Sequence, residues 1–139
     1  MASTGKRAMS VVIGLLASMI VLTLLEYINS RLFPFPENID MKDPIAIKTA
    51  IDSMPLGAKV LHIFFYFIAS IVGGMVSTKL IISESKNPAL IVGGILTFLG
   101  LVNTVTMGEE LWMSVLTLLI YMPGAYLGYM IIAGKKQVS

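Results

Sequence analysis

The sequence contains no cysteine and one histidine, and only 13% of its 139 residues are charged. Without cysteine there is no disulfide, no thiolate nucleophile and no Cys-based metal site. A single histidine excludes His-rich zinc sites and paired motifs such as H-E-x-x-H. So little charge excludes a water-soluble domain of this length, which needs far more of it to face solvent. The 10 basic and 8 acidic residues leave a net charge of +2, too small and too dispersed for a nucleic-acid partner.

What is present is apolar: 56% of the residues are hydrophobic and the mean hydropathy is +0.86. Four uncharged runs, 8–25, 60–78, 88–108 and 111–134, organise the chain, with His62 inside the second. Each can cross a hydrocarbon core of about 30 Å at about 1.5 Å per helical residue. They are too long and too evenly apolar for barrel strands, and only closed hydrogen-bonding structures span lipid. The reading is a single membrane domain, 1–139, of all-α class. Four transmembrane helices (8–28, 56–80, 88–107 and 110–134) form an antiparallel bundle, and an outer loop, 29–55, joins the first two.

The first run follows Lys6 and Arg7 as a signal peptide would, yet it is longer than an ordinary signal core, lacks an A-x-A site and ends in Glu26 and Tyr27. It reads as a retained helix. Lys6, Arg7, Lys79, Lys86, Lys135 and Lys136 share one side of the predicted membrane. On the other side Arg31, Lys42, Lys48 and Lys59 are offset by Glu37, Asp40, Asp43 and Asp52. The positive-inside rule therefore puts both termini in the cytoplasm.

In the outer loop, Phe33-Pro34-Phe35-Pro36 forbids regular helix. Asp43-Pro44 then reads as an N-cap with proline in the first turn, and Ile47, Ile51 and Met54 repeat at helical spacing. This predicts a short amphipathic helix, either a shield for the bundle or a lid over an outward-facing site.

Helical spacing puts His62, Tyr66, Ala69, Ser70, Gly73 and Ser77 on one face of the second span, opposite Phe64, Phe67, Ile68, Ile71 and Met75. The first set is expected against protein and the second against lipid. Small residues also stripe the other spans, where they let backbones approach. The echo of Ile71-Val72-Gly73-Gly74 in Ile91-Val92-Gly93-Gly94 predicts that Gly73 and Gly93 meet in a close contact of the second and third spans. Ser10, Gly14, Ala17 and Ser18 form the small face of the first span, with Glu26 pointing roughly 140° away.

Glu26, His62 and Glu110 come from three spans at similar depth near the outer surface, Tyr66 is a further candidate beside them, and Asn103, Thr104 and Tyr121 extend the set inward. Two carboxylates and an imidazole can hold a proton or a divalent cation, and which metal is left unassigned. The structural reading is three separate interfacial residues. Glu109 reads as part of a capping box, Thr106-Met107-Gly108-Glu109, which leaves Glu110 as the inward-facing acid. The ten methionines fall at lipid-facing and loop positions without the spacing of a copper path.

The stretch from Glu26 to Asp43, with Phe33-Pro34-Phe35-Pro36 followed by Asp40 and Asp43-Pro44, together with the Gly73-Gly74 pair, resembles small, uncharacterised bacterial membrane proteins of four helices. The resemblance implies a bacterial inner-membrane protein and brings no activity or catalytic residue with it. Small multidrug transporters share the length and helix count but carry an acid in the middle of helix 1, where this chain has it at the outer end. Two function classes remain. One is a binding or transport protein for a proton, cation or small molecule, forming a homo-oligomer or joining a membrane partner. The other is a structural or accessory membrane protein. Whether a cofactor is used is left open, and an enzyme is a distant third reading, since apart from the carboxylate and histidine cluster no spacing of nucleophile and base supports chemistry.

Overall fold

The computed structural model describes residues 3–81 and 85–138. They form five helices and, among the described residues, no strand: α1 (Thr4–Leu32), α2 (Pro44–Asp52), α3 (Leu56–Ile81), α4 (Asn87–Met107) and α5 (Leu111–Val138). All but α2 are long and apolar enough to cross a membrane. Large apolar side chains cover their outer surfaces, with Phe98 65% and Leu119 64% exposed. Soluble proteins rarely leave so much apolar surface to water, and four such helices mark the chain as a helical membrane protein.

Local chemistry sets the helix ends. Ser3 caps α1 by accepting from the Lys6 amide at 3.3 Å. That helix stops at Phe33, because the residue before a proline is driven out of the α region. Asp43 caps α2 through the Ile45 amide at 2.9 Å, with Pro44 in the first turn. At the end of α4, Gly108 takes φ 64°, a left-handed conformation that glycine adopts without steric cost.

The central element is α3, which packs against α1, α4 and α5, while the backbones of α1 and α5 do not approach each other closely. Close approach through small residues makes this possible. A methyl at Gly14 would sit 2.8 Å from the Gly73 carbonyl, and one at Gly74 would overlap the Ala125 carbonyl. Ser18 adds an interhelical hydrogen bond, donating to the Ala69 carbonyl at 2.8 Å.

Two expectations about faces are corrected here. Gly73 and Gly93 do not meet each other: Gly73 faces Gly14 and Ser18 of α1 and Val92 of α4, whereas Gly93 faces Met122 and Ala125 of α5. Neighbouring residues on a helix point about 100° apart, so Gly73 and Gly74 admit two different helices. For the same reason Phe67, Ile68, Ile71 and Met75 are half-buried, and only Phe64 of the expected lipid face is exposed. A helix with three partners has no broad face left for lipid.

Candidate functional site

Glu26 lies one turn after half-buried Leu22 and one turn before buried Asn29. Positions three and four apart share a helix face, so Glu26 is turned toward the protein, and the 140° offset expected from its small-residue face does not keep it outside. His62 stands on the inner side of α3. Its Nδ1 is 2.8 Å from Glu26 Oε1, and its Nε2 is 3.8 Å from Glu109 Oε1. The Glu109 side chain is 5% exposed and that of His62 17%. One imidazole therefore lies between two carboxylates, one facing each nitrogen.

The acid opposite His62 is Glu109, not Glu110. The expected capping box is absent. The Thr106 hydroxyl bonds back to the Val102 carbonyl at 2.7 Å, and α4 ends at left-handed Gly108. Past that turn the Glu109 side chain faces inward, and burial pushes its carboxyl above the usual range. His62 opposes this shift and Glu26 adds to it.

Glu110 turns instead to Lys59, which is 6% exposed and pairs with it directly. The second carboxylate oxygen accepts from Trp112 Nε1 at 2.6 Å. These two hydrogen bonds hold the Glu110 carboxyl below the usual range. Lys59 also donates to the Asp52 carbonyl at 3.3 Å, and Lys48 pairs with Asp52 at 2.9 Å. Lys59 thus fastens the end of α2 to the α4–α5 connection, and Glu110 belongs to that fastening.

Beneath α2 a cavity of about 290 Å³ opens. Its polar floor includes Glu26, Asn29, His62, Tyr66 and Glu109. Ile47 and Ile51 of α2 and Phe35 contribute apolar wall, as do Met41, Met54, Met107 and Met113. Four methionines that look scattered in the sequence therefore share one cavity. Four floor atoms have no hydrogen-bond partner: Glu26 Oε1, Asn29 Oδ1, His62 Nε2 and Glu109 Oε2. The close approach of His62 to Glu26 is thus an ion-pair distance without hydrogen-bond alignment.

Tyr66 packs edge-on to His62 with ring centroids 4.4 Å apart, and Tyr121 stands behind it at 5.8 Å. Tyr121 faces a second cavity of about 220 Å³ that shares Tyr66 and Asn103 with the first. The structure therefore brings Glu26, His62 and Tyr66 into one site, sets Tyr121 behind it and leaves Glu110 outside. Among the described residues, no three His, Asp or Glu side chains are arranged to hold one metal ion.

Sequence reasoning missed Asn29, Lys59 and Glu109. A signal existed for two of them, since Asn29 is three residues after Glu26 and Lys59 three before His62, each on the same helical stripe. Comparison of the chain with protein-family models, curated proteins and solved structures finds no match.

Proposed function

We propose that this is a small binding or transport protein of the bacterial inner membrane that takes a proton or small cation from the outer side. It is a single membrane domain, an antiparallel four-helix bundle with both termini cytoplasmic and α2 lying over its outer end. The orientation follows from Lys6, Arg7, Lys79, Lys86, Lys135 and Lys136 at one end. The observation that carries the functional reading is the row Glu26–His62–Glu109 on the floor of the cavity under α2. Titratable side chains within a membrane protein are costly, and a purely structural pairing would satisfy its polar atoms. Here each of the three retains an unpartnered atom.

The test uses the absence of native cysteine. His62→Cys in spheroplasts is exposed to two membrane-impermeant methanethiosulfonates of similar size, one cationic and one anionic. The cationic reagent should react several-fold faster from the outer side, and Glu26→Gln in the same background should narrow the ratio. Equal rates for the two reagents, or reaction only from the inner side of inverted vesicles, would overturn the reading.

A further inference from the structure

The unpartnered atoms of the cavity point to a ligand chemistry. Asn29 is 3% exposed and the Glu109 side chain 5% exposed, so neither is served by bulk water. Asn29 Oδ1 and Glu109 Oε2 accept hydrogen bonds and have no donor in reach, and Glu26 Oε1 meets only His62 Nδ1, at 2.8 Å and without hydrogen-bond alignment. The nearby ammonium of Lys59 is already taken by Glu110 and the Asp52 carbonyl. An acceptor-rich floor with two carboxylates repels anions and leaves neutral apolar molecules with unmet polar groups beneath them. It suits a ligand that brings several N–H donors and a positive charge.

The wall adds the second half of the description. Ile47 and Ile51 of α2 and the thioethers of Met41, Met54, Met107 and Met113 face the same space, and methionine adapts its shape to irregular apolar bodies. The volume of about 290 Å³ lies at the small end of ligand pockets, which begin near roughly 300 Å³. A bare inorganic ion would leave that wall without a role, and a long-chain amphiphile would not fit.

We propose that the cavity binds a small primary ammonium ion carrying a short apolar body. Its N–H groups meet Glu26, Glu109 and Asn29, and its body lies against the methionine and isoleucine wall. This rests on the reading of the cavity as an outward-facing cation site. Binding competes with a proton for the buried Glu109 carboxyl, so affinity should rise as pH rises and Glu109 gives up its proton. The titratable and charged groups around Glu109 in this exchange are Glu26 from α1, Lys59, His62 and Tyr66 from α3, with Lys59 lining the cavity while held by Glu110, and Tyr121 from α5. The α2 wall presents only Ile47 and Ile51, while Lys48 and Asp52 pair with each other away from the floor.

The experiment is calorimetry on the full chain in nanodiscs with four probes that share a phenylalkyl body and differ in head group. These are phenethylammonium, its N-trimethyl derivative, 3-phenylpropanoate and 3-phenylpropanol. Phenethylammonium should bind saturably and about tenfold or more tighter than each of the others, and its affinity should be higher well above the ordinary carboxylate value than close to it. Equal affinity for the trimethyl compound, which carries charge but no N–H, would overturn the assignment, as would equal affinity for the acid or the alcohol. The probe comparison needs no variant, so a misfolded mutant cannot blur it. In folded Asn29→Leu and Glu109→Gln proteins the affinity should fall about tenfold, and unchanged affinity in both would again refute the contacts. If His62→Cys keeps its preference for the cationic reagent while no amine binds, the ligand class fails and the cation site stands. If that preference is also missing, both fail.

Discussion

Two adjacent acids, Glu109 and Glu110, have opposite electrostatic fates, and pH separates them. Burial raises the Glu109 carboxyl, so its protonated form favours the fold. That contribution is complete below the ordinary carboxylate value and is lost as pH rises through the raised one. Glu110 is the reverse: hydrogen bonds from Lys59 and Trp112 lower it. Its contribution is present above the ordinary value and disappears as pH falls through the lowered one. Melting of the detergent-solubilised protein across pH should therefore show Glu109→Gln flattening the decline above the ordinary carboxylate value. Glu110→Gln should flatten the acid limb. A Glu109→Gln profile that superimposes on the wild type would mean that this side chain is not buried beside His62.

The helices are held by glycines whose partners are backbone, which cannot yield. A methyl on Gly74 would overlap the Ala125 carbonyl and one on Gly128 the Ile71 carbonyl, while nothing lies within 4 Å of the same position on Gly94. Gly74→Ala and Gly128→Ala should each cost about 1–3 kcal/mol through overpacking. Gly94→Ala should stay within about 0.5 kcal/mol of the wild type, as exposed sites do. Thermal unfolding of the three variants checks this, and a cost at Gly94 equal to that at Gly74 would remove the α3–α5 contact as the cause. The short helix is held differently, by Lys59 bridging Asp52 and Glu110. Lys59→Met should speed hydrogen exchange across α2 by on the order of tenfold, since hydrogen bonds to charged groups are lost. Exchange confined to wild-type rates would show that α2 is held by its apolar face alone.

For the entire molecule, the arrangement of basic residues makes orientation testable. A periplasm-dependent reporter fused after Ser139 should be inactive and a cytoplasm-dependent one active, because the cytoplasmic side carries the excess of Lys and Arg. Activity of the periplasmic reporter would turn the protein over and place the cavity under α2 on the inner side.

The presence of four long apolar helices could be read along the chain, because an uncharged run must satisfy its own backbone hydrogen bonds in lipid. So could the start of α2, where Asp43 and Pro44 act on residues next to them. Which helices would touch could not. Lipid is as apolar as leucine and supplies no hydrophobic preference for one neighbour over another. The choice falls to close steric fits between distant segments, as where Gly73 meets α1 and Gly74 meets α5. The candidate site divides in the same way. Glu26, His62 and Tyr66 are identifiable as polar groups in apolar helices, whereas the choice of Glu109 over Glu110 depends on one left-handed turn at Gly108. That turn sends one carboxylate to His62 and the next to Lys59, and only the packing of α3 beside the α4–α5 connection brings those two partners within reach.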